Sequence, residues 1–227
     1  MYLRWRRLLP AWVHVVPVEL PGRGSRMGEP FAEDFSELVA SLCEEQAPAL
    51  RGRYVLLGHS MGALLAWGMA MRQQALGRPL PGTLLASGSP APSRRDPDRF
   101  ANKDDDAALI ADLRKQGGTP PEVFESAELM RITLGVLGAD YRVCESFRPF
   151  DRKALPVPVH AFAGLRDDIA AERIEAWSVE AAGAFTVDWF EGGHFFIRHQ
   201  EQQVLQAIER HLAQTFAGGA HAAVALA

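Results

Sequence analysis

The pentapeptide Gly58-His59-Ser60-Met61-Gly62 has the G-x-S-x-G spacing that can make an ordinary serine a nucleophile. It comes directly after the apolar run 54–57 and directly before a segment rich in Ala, Leu and Met, so we predict a buried strand, a tight turn and a helix. Such a turn strains the main chain of Ser60, and glycines on both sides allow the strand and the helix to approach each other. The hydroxyl is thereby presented to a base.

A serine hydroxyl needs a base to remove its proton and an acid to orient that base. Two later turns, each at the end of a predicted strand, carry these groups: Gly164-Leu165-Arg166-Asp167-Asp168 and Glu191-Gly192-Gly193-His194. The order serine, acid, histidine is the one this kind of elbow requires. We therefore predict that Ser60 is the nucleophile, His194 the base and Asp167 the acid. Asp168 stays open as the alternative acid, and the unused aspartate would cap a helix.

The positions of the other histidines give less indication of a catalytic role. His59 adjoins the nucleophile, but its side chain must leave the turn in another direction, so we interpret it as a pocket or support residue. His14 and His160 lie in apolar strands, and His199 and His211 lie in or near the last predicted helix. Among the histidines, His194 is the one that follows paired glycines at a strand end.

The elements that position these residues alternate between short apolar runs and helical patterns, which is typical of a parallel sheet with crossover helices. The predicted strands are Val13–Leu20, 54–57, 83–87, 157–163 and 185–190. The predicted helices are 33–47, 63–76, 170–182 and a closing helix around 204–212. The fold class is therefore α/β with a mostly parallel sheet.

The segment at about 90–150 interrupts this rhythm with prolines, charges and two helix-like apolar groupings. We predict a helical cap inserted into a single domain that spans residues 1–216. Residues 217–227 are rich in Ala and Gly and lack anchoring side chains, so a disordered tail is expected.

Composition excludes several classes of protein. The chain has 227 residues, of which 48% are hydrophobic and 23% charged, as in ordinary globular domains. Its net charge of −4 argues against a nucleic-acid partner. Cys43 and Cys144 suit neither a disulfide framework nor a metal pair, and nothing in the sequence indicates a metal or an organic cofactor. Apolar runs fall short of the roughly 20 residues that cross a bilayer, so a cytoplasmic protein with no membrane partner is expected.

Four motifs together resemble the type II (external) thioesterases of nonribosomal peptide and polyketide synthesis, which belong to the α/β-hydrolase superfamily. The motifs are Leu20-Pro21-Gly22-Arg23-Gly24, Gly58 to Gly62, Gly164 to Asp167, and Gly192-Gly193-His194-Phe195-Phe196. The likeness extends from about Tyr2 to Phe216. It implies a Ser60–His194–Asp167 triad that hydrolyses misloaded or stalled acyl groups from the phosphopantetheine arm of carrier proteins, through an acyl-enzyme.

The sequence departs from this family at its start. Family members open with a further strand and a loop similar to Pro-x-Ala-Gly-Gly, which supplies one oxyanion-hole N–H, and the second N–H comes from the residue matched by Met61. The sequence begins after that strand, so we expect an unpaired edge within the sheet. Either Met1 lies inside a longer reading frame, or the enzyme is weak or inactive.

Two other functions share most of these features. A general carboxylesterase would use the same triad on small oxygen esters, and a non-catalytic scaffold would bind synthase modules without chemistry. If carrier proteins are the partners, arginines at positions 23, 26, 94, 95 and 99 could attract their acidic surfaces and so steer docking.

Overall fold

The apolar runs of the sequence become parallel strands in a computed structural model, which describes residues 2–96, 98–100, 103, 105–148, 153–216 and 222–226, the last five as main chain only. The strands are β1 (Val13–Pro17), β2 (Tyr54–His59), β3 (Leu84–Ser87), β4 (Val159–Gly164), β5 (Phe185–Phe190) and β6 (Ala222–Leu226). They form one sheet in the order β1-β6-β2-β3-β4-β5, and every neighbouring pair is parallel. The predicted sheet type is confirmed.

Burial follows position in the sheet. All residues of β3 and β4 are buried, as are the first five of β2, because a central parallel strand is covered on both faces. Strand β5 pairs with β4 and is only partly buried. The continuous apolar runs therefore correctly predict β2, β3 and β4 as buried strands.

The expectation of a disordered tail is wrong for residues 222–226. These residues form β6, which lies between β1 and β2, with Val224 in register with both Val15 and Val55. A parallel strand with two neighbours has its N–H and C=O groups paired on both sides, so it needs no large anchoring side chains. The unpaired edge expected within the sheet is likewise absent at this position, because β6 fills it. Residues 217–221 and 227 lie outside the described residues.

Ten α-helices complete the described part of the chain. They are α1 (Tyr2–Trp5), α2 (Phe35–Glu45), α3 (Met61–Ala75), α4 (Asp106–Gln116), α5 (Pro121–Glu125), α6 (Ala127–Ser146), α7 (Ala171–Glu175), α8 (Trp177–Glu180), α9 (Phe196–His199) and α10 (Glu201–Thr215). The helix predicted over 170–182 is two short helices, α7 and α8, separated by Ala176. None of the described helices is both long enough and apolar enough to span a membrane.

The chain divides into two compact units. The first, which we call the sheet unit, comprises Met1–Val18, Val39–Arg95 and Pro149–Ala227. One of its apolar clusters joins strand residues such as Val55, Leu57 and Phe162 to the buried face of α10. Burying a large apolar side chain contributes about 1.5–3 kcal/mol, so this cluster is a major source of the unit's stability.

The second, which we call the helical unit, comprises Glu19–Leu38 and Asp96–Arg148. The expected insertion at 90–150 overlaps most of it, but the unit also includes the turn that follows β1, and residues 149 and 150 lie outside the described residues. Its apolar cluster is Leu109, Leu113, Leu134 and Tyr141. Beside that cluster, Asp112 accepts hydrogen bonds from Tyr141 (2.8 Å) and Lys103 (2.5 Å). Burial alone would raise the pKa of Asp112, but these donors and Arg99 hold it below its usual value.

Candidate active site

Ser60 occupies the turn between β2 and α3, in a backbone conformation that a serine rarely adopts. Its φ is 57° and its ψ is −119°, and it is the one non-glycine residue with positive φ in the described part of the chain. Such a conformation costs on the order of 1–3 kcal/mol and is held by its surroundings. A β-carbon at Gly58 would lie only 1.9 Å from the Gly62 carbonyl oxygen, so the close approach of strand and helix requires glycine. The predicted elbow is therefore present.

The structure brings together the three side chains that the sequence analysis singled out. Nε2 of His194 lies 3.1 Å from Oγ of Ser60, and Nδ1 of His194 lies 2.9 Å from Oδ2 of Asp167. The Asp167 side chain is 4% exposed and that of His194 is 13% exposed. A hydroxyl, an imidazole and a buried carboxylate in this sequence of contacts can activate the hydroxyl as a nucleophile.

Of the two aspartates left open by the sequence, Asp167 is the one that contacts His194. Asp168 is exposed. Asp167 Oδ1 is buried and has no hydrogen-bond partner among the described protein atoms.

The loops that carry the acid and the histidine are joined by main-chain hydrogen bonds. The N–H of Leu165 donates to the carbonyl of Phe190, and the N–H of Arg166 donates to the carbonyl of Gly192, both at 2.8 Å. A β-carbon at Gly164 would lie 2.6 Å from the Gly193 carbonyl oxygen. The loops can therefore lie side by side, which fixes Asp167 relative to His194.

Met61 is the first residue of α3, immediately after Ser60. The first N–H groups of a helix have no acceptor within the helix, and the helix dipole adds partial positive charge at this end. The main-chain N–H of Met61 therefore lies at a terminus that can stabilise negative charge developing on a group attacked by Ser60.

A family model named Thioesterase domain matches residues 1–212. The chain belongs to the thioesterase family. It is an enzyme that hydrolyses thioesters, with the fold of the α/β-hydrolase thioesterases. The resemblance drawn from the four sequence motifs is confirmed.

Three relatives show how far the similarity extends. Linear gramicidin dehydrogenase LgrE of Brevibacillus parabrevis is 33% identical over 222 residues, which cover 96% of this chain and 84% of that protein. RedJ, a thioesterase from the prodiginine biosynthetic pathway in Streptomyces coelicolor, is 33% identical with a TM-score of 0.83, over 91% of this chain and 82% of that one. BorB, the type II thioesterase from the borrelidin biosynthetic cluster, is 37% identical with a TM-score of 0.75, over 86% and 80% of the two chains. The name of LgrE describes an oxidoreductase, whereas the family model and both solved structures are those of thioesterases.

In this thioesterase, the side chain of His59 contacts both Ser87 and His194. Its Nδ1 lies 2.9 Å from Ser87 Oγ, and its ring centroid lies 5.0 Å from that of His194. Burial lowers the pKa of His59 well below its usual value, and the positive charges of His194 and Arg198 act in the same direction. Ser87 was missed by the sequence analysis. The signal for it is the pairing of β2 with β3, which puts His59 and Ser87 in register.

Several of the arginines that were expected to attract a partner protein form ion pairs with acidic residues of this chain. Within the helical unit of the thioesterase, Arg23 pairs with Asp140 (2.6 Å), Arg26 with Glu29 (2.6 Å) and Arg99 with Asp112 (3.2 Å). Steering by any of the five arginines stays a prediction. The residues that the structure describes include no group of three or more His, Cys, Asp or Glu side chains that could hold a metal ion.

Proposed function

We propose that this thioesterase hydrolyses acyl groups held as thioesters on the phosphopantetheine arm of carrier proteins, with Ser60 as nucleophile, His194 as base and Asp167 as acid. The observation that carries the proposal is the unbroken contact from Ser60 Oγ through the His194 ring to Asp167. The biosynthetic origin of RedJ and BorB supports a substrate attached to a synthase rather than a free ester.

In the first step, Ser60 Oγ attacks the thioester carbonyl while His194 Nε2 takes the hydroxyl proton. Asp167 accepts the hydrogen bond from Nδ1–H and stabilises the imidazolium that forms. The Met61 N–H donates to the carbonyl oxygen as it becomes negative. The C–S bond then breaks, and His194 gives the proton to the departing sulfur. The products are a free pantetheine thiol and an acyl group esterified to Ser60.

In the second step, water attacks the same carbonyl carbon. His194 takes one proton from the water, and the bond between the carbonyl carbon and Ser60 Oγ breaks. The proton returns to Ser60, and the carboxylic acid leaves. The cycle restores all three side chains and frees the carrier for reloading.

The test is the release of acid from an acyl carrier protein, followed by mass spectrometry of the product and of the carrier. We expect the wild-type chain to release the free acid. Ser60→Ala and His194→Ala should each lower the turnover by a factor on the order of 10⁴ or more, because triad residues act as a unit. Ser41→Ala is the matched control, since Ser41 is an exposed serine on α2.

Each competing function gives a different result in this assay. Faster turnover of a small aryl ester than of the carrier thioester would favour a general carboxylesterase. Release of an aldehyde or alcohol in the presence of a nicotinamide hydride donor would favour reduction, the activity that the name of LgrE describes. No product, together with no labelling of Ser60 by a serine-directed phosphonate, would identify a non-catalytic scaffold.

A further inference from the structure

The ring of His59 packs against the ring of His194 and has a separate hydrogen-bond partner. Its Nδ1 shares a hydrogen bond with Ser87 Oγ at 2.9 Å, and Ser87 is fully buried at the end of β3. Because His59 and Ser87 are paired in the parallel register of β2 and β3, this contact is anchored in the sheet. The other ring nitrogen of His59, Nε2, is also buried.

Main chain also confines the His59 ring. At Gly88, where φ is +56°, a β-carbon would lie 2.5 Å from His59 Cε1. A glycine at this position therefore leaves the space that the imidazole fills. The sheet, the Ser87 hydroxyl and the Gly88 main chain together restrict the ring to one orientation.

The loop that carries His194 packs on the ring of His59. The ring centroid of His59 lies 5.0 Å from that of His194 with the planes tilted by 46°, and 5.8 Å from that of Phe196 in an edge-to-face arrangement. His194 itself has one hydrogen bond on each side, to Ser60 and to Asp167. The ring of His59 is a further contact of this imidazole, besides the two hydrogen bonds.

The charge state of His59 suits this location. His194 becomes positively charged during the proposed acylation, and a second imidazolium 5 Å away would oppose that change. Burial, followed by the charges of His194 and Arg198, keeps the pKa of His59 well below its ordinary value despite an opposing interaction with the main chain of His194, so the ring is neutral near pH 7. A neutral, rigid imidazole can support the base without repelling it.

We propose that His59 is a positioning residue whose sheet-anchored ring holds the imidazole of His194 in line between Ser60 and Asp167. The inference rests on the proposed role of His194 as base. It concerns orientation alone, and it assigns no proton transfer to His59. Ser87 acts through His59 as its anchor.

The test is His59→Asn, since the asparagine amide nitrogen can take the place of Nδ1 beside Ser87 while the ring atoms that contact His194 are lost. We expect kcat to fall about 10²-fold with little change in KM, as for other small displacements of a reacting group. Ser87→Ala, which keeps the ring but removes its anchor, should lower kcat in the same direction by less. His14→Asn is the matched control because His14 is an exposed histidine of β1, and it should retain wild-type kcat.

A second measurement separates positioning from a loss of stability. In the wild-type protein, the proton between His194 Nδ1 and Asp167 should give a far-downfield NMR signal that is protected from solvent exchange. In His59→Asn that signal should broaden or vanish while the melting temperature and far-UV circular dichroism of the variant stay close to those of the wild type. If His59→Asn does not fold, the same signal and kcat are measured in Ser87→Ala.

The outcomes are distinguishable from those of the proposed function. If the wild-type chain releases no acid and its Ser60 is not labelled, the proposed function fails and the positioning role fails with it. If the wild type is active and both His59→Asn and Ser87→Ala keep wild-type kcat and the downfield signal, the positioning role alone is overturned. A fall in kcat accompanied by loss of the signal in a folded variant supports it.

Discussion

At the scale of single residues, the choice between two adjacent carboxylates has a direct test. Asp167 contacts His194 Nδ1, whereas the neighbouring Asp168 is exposed. Replacing the contacting carboxylate by an amide keeps its size but allows the imidazole to adopt the wrong tautomer and leaves its positive charge uncompensated. The same replacement at Asp168 should change neither the tautomer of the imidazole nor the compensation of its charge.

We therefore expect Asp167→Asn to lower kcat by a factor of about 10²–10⁴ while the protein remains folded. Asp168→Asn should keep kcat within about twofold of the wild type, since exposed substitutions rarely alter a site's geometry. The measurement is steady-state acid release from the carrier thioester, with the urea midpoint as a check on folding. Equal losses in the two variants would mean that the acid has been assigned to the wrong side chain.

Local sequence was sufficient for part of the site and insufficient for the rest. Ser60 and His194 could be predicted because each lies at the end of a strand, in a turn whose glycines indicate a sharp bend of the main chain. Asp167 could be predicted only to within one position, because the direction of a side chain after β4 depends on how the two loops pack together. The His59–Ser87 contact depends on the register of two strands, which no short stretch of sequence contains.

At the scale of elements, β6 shows the same limit. The continuous apolar runs of β2, β3 and β4 predict buried strands wherever they are placed, whereas β6 consists mainly of alanine, a weak strand former, with one Val and one Leu. Its strand conformation comes from pairing with β1 and β2, which are far away in sequence. Such pairing is a tertiary effect, and tertiary effects routinely override weak local preferences.

The position of β6 predicts a large effect for a single substitution in it. Val224 is in register with residues of both neighbouring strands, so Val224→Pro removes a main-chain donor from the middle of the sheet. We expect a loss of about 1–3 kcal/mol in the free energy of unfolding, from the acceptor left without a partner. Val224→Ala is the control at the same position because it keeps the N–H. Urea denaturation measures both variants, and identical midpoints would show that the strand contributes nothing to the sheet.

At the scale of the whole molecule, a second cluster of polar groups joins two strands to the last helix of the sheet unit. His160 of β4 stacks on His211 of α10 with ring centroids 3.8 Å apart, and its Nδ1 lies 2.7 Å from Thr186 Oγ1. His211 Nε2 in turn lies 2.5 Å from Asp188 Oδ2, and the other oxygen of this carboxylate, Oδ1, accepts a hydrogen bond from Arg210. This cluster is separate from the proposed triad, so its protonation should affect folding rather than chemistry.

Burial lowers the pKa of His160 to about 4, with the charge of His211 acting in the same direction and Asp188 opposing it. An unfolded histidine has a pKa of about 6.5, so between about pH 6.5 and pH 4 the unfolded chain binds a proton that the folded chain does not. The free energy of unfolding must therefore fall as the pH falls through this window. His160 alone would account for up to about 3 kcal/mol. The lowered pKa of His59 acts in the same direction, so the difference between variants, not the total slope, isolates His160.

We accordingly expect His160→Gln to flatten the pH dependence of the free energy of unfolding between about pH 6.5 and pH 4, because glutamine does not titrate. His14→Gln, an identical change at an exposed histidine of β1, should leave the slope at its wild-type value. Urea denaturation at several pH values measures the three proteins. Parallel curves for the wild type and His160→Gln would mean that His160 accepts its proton as readily in the folded protein as in the unfolded chain. In that case the acid sensitivity of the fold would have to come from other groups.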